Sequence, residues 1–93
     1  MAARSGVRFA QAPYGSDAPD ARQAHAAFRA EVGARVRFAR ALCGLSQDEL
    51  AARAGVSRTF ISAIERGTHG LDAWQLRLIA RAVDRPLCWL LGE

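Results

Sequence analysis

Between Ser57 and Gly67 the chain reads Ser-Arg-Thr-Phe-Ile-Ser-Ala-Ile-Glu-Arg-Gly. Wound as a helix at about 100° per residue, this run gathers Arg58, Ser62, Arg66, Thr59 and Ala63 within about 140° of arc, with Phe60, Ile64, Ser57 and Ile61 opposite. The outward side then carries two Arg and two hydroxyl side chains and no acid, where an ordinary solvated helix mixes signs. Arg can fork onto guanine O6 and N7, and Thr can donate to a base edge or touch a thymine methyl. These residue types suit the major groove of duplex DNA, and a protein interface would not need an acid-free face.

Other chemistry is poorly served. Cys43 and Cys88 form no Cys-x-x-Cys pair, and His25 and His69 stand at no zinc-ligand spacing from them or from each other, so no metal and no cofactor is expected. Both cysteines follow the apolar pattern of their segments and are expected as free thiols in or beside the core. Ser62 with His69 lacks a third member, and there is no carboxylate pair or phosphate loop, so the chain does not read as an enzyme.

The elements that must hold the Arg58–Arg66 face are marked by caps. Ser46-Gln47-Asp48-Glu49 is a capping box that opens a helix ending at Gly55, and Ser57 caps the next, closed by Gly67. Two short helices joined through Gly55-Val56-Ser57 have the anatomy of a helix-turn-helix. Leu50 and Ala54 face one way on the first helix, Val56 plugs the turn, Ile61 and Ile64 face back from the second, and Ala51 is small where the helices meet. Upstream, Asp20 with Gln23 reads as a capping box opening a helix to about Cys43, with Gly44 as its stop. That helix carries Val32, Val36 and Ala39 on one face and is either continuous or broken near Gly33. Downstream, Asp72 with Gln75 repeats the box before Leu76, Ile79, Ala80 and Val83. Pro86, suited to a first turn, opens a segment Leu87–Leu91. Nothing alternates with period two, so the fold is all-α.

The chain of 93 residues has room for one domain. Of its 47 hydrophobic residues 20 are alanine, the best helix former, which agrees with an all-helical fold. All 13 basic residues are Arg, and residues 35–66 hold 6 of them against 3 acids, so the surplus lies in the middle third. Such a surplus points to a polyanionic partner, here double-stranded DNA. No apolar run nears the roughly 20 residues of a membrane span, which excludes membrane insertion and leaves the cytoplasm as the expected location. Residues 1–20 are poor in large apolar side chains and read as a flexible tail, leaving 21–93 as the domain. In that tail Arg4 and Arg8 could enter a minor groove, and Phe9 and Tyr14 could pack on a partner.

Arg35-Val36-Arg37, then Gly44-Leu45-Ser46-Gln47-Asp48-Glu49-Leu50-Ala51, then Ala54-Gly55-Val56-Ser57-Arg58-Thr59-Phe60-Ile61-Ser62 and Ile64-Glu65-Arg66-Gly67 together resemble the Cro/repressor-like (XRE) helix-turn-helix regulators. The likeness spans about residues 31–92. It implies a five-helix, lambda-repressor-like domain that binds operator DNA, usually as a dimer on a palindrome; residues 1–30, which have no counterpart in the minimal domain, make an N-terminal extension about which the resemblance says nothing. By position, the resemblance implies base reading by Arg58, Thr59, Ser62 and Ala63, and phosphate contacts by Gln47, Ser57 and Arg66. It also implies a buried ion pair between Arg40 and Glu65. The chain departs from the pattern at Ala63, often a longer polar residue, and in Thr68-His69-Gly70-Leu71, which lacks the usual proline and extra basic residue.

A single recognition helix reads only a few base pairs, so a homodimer on two half-sites is expected. The segment after Pro86 offers more apolar surface than one face can bury, so Leu87, Trp89 and Leu90 are the candidate dimer contacts. Within the regulator class, a restriction-modification controller protein and an antitoxin that represses its own operon fit equally well. From another class, a protein-interaction module would use an exposed Trp74 or Trp89 toward a partner of unknown identity.

Overall fold

The computed structural model describes residues 19–93. These form five helices in order, α1 Pro19–Leu42, α2 Gln47–Ala54, α3 Arg58–Arg66, α4 Ala73–Ala82 and α5 Leu87–Leu90, with no strand among the described residues. The expectations for Arg4, Arg8, Phe9 and Tyr14 lie outside the described residues. α1 runs from Pro19, so Asp20 sits inside its first turn rather than at the cap. Proline lacks the N–H that a helix start would leave unpaired, and an acid in the first turn meets the positive end of the helix dipole.

α1 runs unbroken through Gly33, and the packing explains why a poor helix former stands there. A Cβ on Gly33 would lie 2.2 Å from the carbonyl oxygen of Ile64 and 2.9 Å from that of Glu65. The backbones of α1 and α3 therefore touch at this point. A glycine costs the helix up to about 1 kcal/mol relative to alanine, and only glycine permits this approach. One turn earlier, Arg29 Nε donates to the carbonyl of Gly67 at 3.3 Å, placing a cation at the negative end of α3. The N-terminal half of α1 is thus a brace along the C-terminal end of α3.

The capping box of α2 forms in full. Ser46 Oγ accepts from the Glu49 N–H at 3.0 Å, and Glu49 Oε1 accepts from the Ser46 N–H at 2.8 Å. The Ser46 N–H, and after it the Ser46 hydroxyl, hold the Glu49 carboxyl below its ordinary range, because a donor to the carboxylate favours its charged form. Ser57 caps α3 through the Phe60 N–H at 3.0 Å. Asp72 caps α4 through the Gln75 N–H at 2.7 Å, but no reciprocal Gln75 bond is present among the described residues, so that box is half made. Between α2 and α3, Gly55 adopts φ 73°, left-handed backbone that side chains with a Cβ disfavour, and this turns the chain in three residues. α5 is one residue shorter than its spacing predicts, and Pro86 precedes it at ψ 150° instead of entering its first turn.

The core is built from the apolar stripes of all five helices. Val32, Val36 and Ala39 of α1 meet Leu50, Ala51 and Ala54 of α2, Ile61 and Ile64 of α3, Leu76, Ile79 and Ala80 of α4, then Val83 and Leu90, each nearly or fully buried. α3 packs on α1 and α2, while α4 packs on α2 and α5. Leu90 is completely buried within this single chain. It therefore cannot serve as the dimer contact its apolar segment suggested, since its side chain is already spent on its own core. Cys43 and Cys88 are exposed rather than packed inside; the Cys43 thiol donates to the Val83 carbonyl at 3.3 Å. No helix among the described residues is long and apolar enough to cross a membrane.

Candidate nucleic-acid interface

α3 is held by its apolar side, where Ile61 and Ile64 are buried, and this leaves Arg58, Thr59 and Arg66 exposed with Ser62 and Ala63 half-buried beside them. The sequence places these five on one side of a helix, and the fold presents that side outward. Arg66 donates through Nη1 to the Ser62 hydroxyl one turn earlier, which draws the guanidinium along the helix. Thr68 Oγ1 donates to the Ala63 carbonyl at 3.2 Å and ties the following loop to the end of α3.

The acid of α3, Glu65, stands only about 20° round the helix from Arg58, and it is its burial against Arg40 that takes its charge off this face. Its carboxylate takes Arg40 in a two-pronged pair, Nε to Oε2 at 2.6 Å and Nη2 to Oε1 at 3.0 Å. The two side chains are 17% and 5% exposed, so the pair is largely withdrawn from water. Arg40 Nη1 also donates to the Leu45 carbonyl at 2.8 Å. Donating to the Glu65 carboxylate raises the Arg40 pKa above its already high value, against the opposing effect of burial. One network thereby joins the end of α1, the loop before α2 and the end of α3.

Gln47 enters the same network. Its side-chain Nε2 donates to Glu65 Oε1 at 3.1 Å, so the amide expected on a phosphate is turned inward in the free protein. Sequence reasoning missed this bond because Gln47 and Glu65 lie on different helices. Ser57, also expected at a phosphate, has its oxygen engaged as the α3 cap, and its hydroxyl hydrogen remains able to donate outward.

A second acid approaches the interface from outside α3. Asp48, in the first turn of α2, brings Oδ1 to 3.6 Å from Arg58 Nε, with side-chain exposures of 64% for Arg58 and 77% for Asp48. The acid-free face drawn from α3 alone is therefore bordered by an acid of its neighbour.

Away from α3, Trp89 is half-buried and stacks on Phe38 with ring centroids 6.3 Å apart and planes 23° apart, while the Arg85 guanidinium lies 5.1 Å from the Trp89 ring centre. Leu87 packs partly against the core. Phe38 and Leu42 are both more than half exposed, as is Trp74. Phe38 and Leu42 are one turn apart on α1 and fall outside the Val32–Val36–Ala39 stripe. That spacing is a signal the sequence contains and that a reading centred on the core passes over.

Residues 36–90 match the model of a helix-turn-helix family. Among solved structures, the chain is similar to the restriction-modification controller protein C.AhdI from Aeromonas hydrophila, at 31% identity and a TM-score of 0.67 over 69% of this chain and 97% of that one. It is similar to the clp gene regulator ClgR from Corynebacterium glutamicum, at 29% identity and a TM-score of 0.67 over 70% of this chain and 69% of that one. It is also similar to a transcriptional regulator from Vibrio cholerae, at 25% identity and a TM-score of 0.69 over 73% of this chain and 38% of that one. No curated protein matches the chain by sequence.

Proposed function

This chain belongs to the helix-turn-helix family and is a DNA-binding regulator of transcription, and we propose that it reads an operator by laying α3 in the major groove. In this reading Arg58, Thr59, Ser62 and Ala63 face base edges, with Ala63 limited to apolar contact such as a thymine methyl. Ser57, Arg66 and the N-terminal turn of α2 at Gln47 meet phosphates, which position the helix without reading sequence. The observation that supports this most is the treatment of charge on α3: its acid is buried against Arg40, and its outward side keeps two Arg and two hydroxyls. This reading has the protein acting in the cytoplasm, without catalysis or cofactor.

Two-fold pairing would double the site and match half-sites about one DNA turn apart. The Trp89 side of α5, with Phe38 of α1 against it and Leu87 at its edge, is the surface we assign to a second copy, and Leu90 takes no part. A second reading is favoured by a specific likeness: the similarity to C.AhdI covers nearly all of that chain, so a controller role in a restriction-modification system is the regulator subtype we rank first.

Titrating a selected duplex at rising salt tests the proposal. Neutralising several phosphates releases counterions, so log affinity should fall against log salt by about 0.9 for each contact. Gln47→Ala should weaken all duplexes alike. A flat salt response, or no binding to any selected duplex at low salt, would overturn the reading.

A further inference from the structure

Arg58 opens α3, and a cation is out of place there, because the first turn of a helix is its positive end and favours acids. α3 has no acid in its first turn. The balancing charge comes from the neighbouring helix, where Asp48 Oδ1 lies 3.6 Å from Arg58 Nε. The backbone that carries Asp48 is well anchored, while its side chain is exposed. The Ser46–Glu49 box fixes the turn on which it stands, and the adjacent Gln47 side chain is tied to Glu65.

Both partners are largely exposed, so the pair contributes little to folding. Its value must be sought at the interface. A carboxylate beside DNA is repelled by phosphates, and this penalty falls on every duplex alike. The pairing uses Nε, which leaves both terminal amino groups of the guanidinium free to fork onto guanine O6 and N7.

We propose that Asp48 is a positioning residue for sequence reading: its carboxylate holds the Arg58 side chain across the turn with the terminal amino groups presented to a guanine, and competes with phosphate for that cation on other sequences. This rests on Arg58 being a base reader. Specificity is a difference of affinities, and Asp48 widens it from both sides. On a wrong sequence it keeps the Arg58 cation from pairing with phosphate instead, and on the right one it reduces the freedom Arg58 loses when it meets its base.

The test uses the full chain as wild type, Asp48→Asn, Asp48→Glu, Arg58→Ala and the Asp48→Asn/Arg58→Ala double variant. Each is titrated by fluorescence anisotropy against the duplex selected by wild type, its three single-base-pair variants at the position that Arg58→Ala relaxes, and an unrelated duplex. Circular dichroism establishes that each variant is folded. Asp48→Asn should bind the unrelated duplex several-fold tighter and lose several-fold in discrimination at that position, and Asp48→Glu should recover part of the loss. With Arg58 absent, Asp48→Asn should leave discrimination unmoved. Wild-type discrimination in Asp48→Asn, or an equal loss with and without Arg58, would overturn the proposal. Failure of the underlying reading shows separately, as wild-type discrimination in Arg58→Ala itself.

Discussion

Two arginine–carboxylate pairs meet α3, and they are built in opposite ways. Arg40 and Glu65 join by two short bonds in a largely dry site at the C-terminal end, with Gln47 and the Leu45 carbonyl completing the network. Arg58 and Asp48 meet by one long contact in water at the N-terminal end. The first pair uses all three guanidinium nitrogens of Arg40 and both carboxylate oxygens of Glu65 inside the protein and ties α3 to α1 and α2. The second leaves most of the guanidinium unused. A positioned helix with an uncommitted cation is what the proposed reading of DNA requires, so on that proposal the contrast separates scaffold from reader within the nine residues of α3.

The largest effect that could break this comparison is at Glu65. Glu65→Ala strands a mostly buried guanidinium and should destabilise the fold by about 3–5 kcal/mol in urea unfolding, while replacing both Arg40 and Glu65 with packed apolar residues should come out near neutral. A loss for Glu65→Ala within about 0.5 kcal/mol of wild type, as for ordinary surface changes, would put the two pairs in one class. Next is the brace beside it. Gly33→Ala drives a Cβ into the α3 carbonyls and should cost about 1–3 kcal/mol despite alanine's better helix propensity, measured by thermal unfolding; a gain in stability would show that the helices do not touch there.

A smaller effect lies at the cap of α2, which carries both Gln47 and Asp48. Ser46→Ala should cost about 1 kcal/mol. The Glu49 half of the box depends on pH, and its sign follows from the lowered carboxyl. The charged form is favoured in the folded chain, so the stabilisation is fully present above the ordinary carboxyl value of about 4.3 and is lost as pH falls through the folded value. Comparing Glu49→Ala with wild type by urea unfolding should therefore show a gap at neutral pH that closes in acid, and a gap that widened in acid would reverse the assignment.

How much of this was legible in the sequence follows the range of the interactions. The Ser46–Glu49 box, the turn at Gly55 and the stripes at Ile61 and Ile64 are local, set by spacings of three or four residues, and each stands where its spacing put it. Gly33 was ambiguous because its reason is a backbone 31 residues away, not anything in its own helix. The Gln47–Glu65 bond and the Asp48–Arg58 contact escaped a helical wheel drawn on α3 alone, since both partners come from α2. Leu90 was misjudged because a segment of four or five apolar residues has no periodicity to say which side is inward. Burial in the core took Leu90 and left Trp89 at the surface against Phe38.

As proposed, α3 is a positioned reader whose sequence preference passes through Arg58. Selection of bound duplexes from a random pool, run in parallel with wild type and Arg58→Ala, tests it most directly. The wild-type motif should show two-fold symmetry. Arg58→Ala should keep the rest of that motif, lose its guanine preference at one base pair in each half-site, and bind the wild-type sequence about 1–3 kcal/mol more weakly. An unchanged motif from Arg58→Ala, or no enriched motif from wild type, would contradict the account.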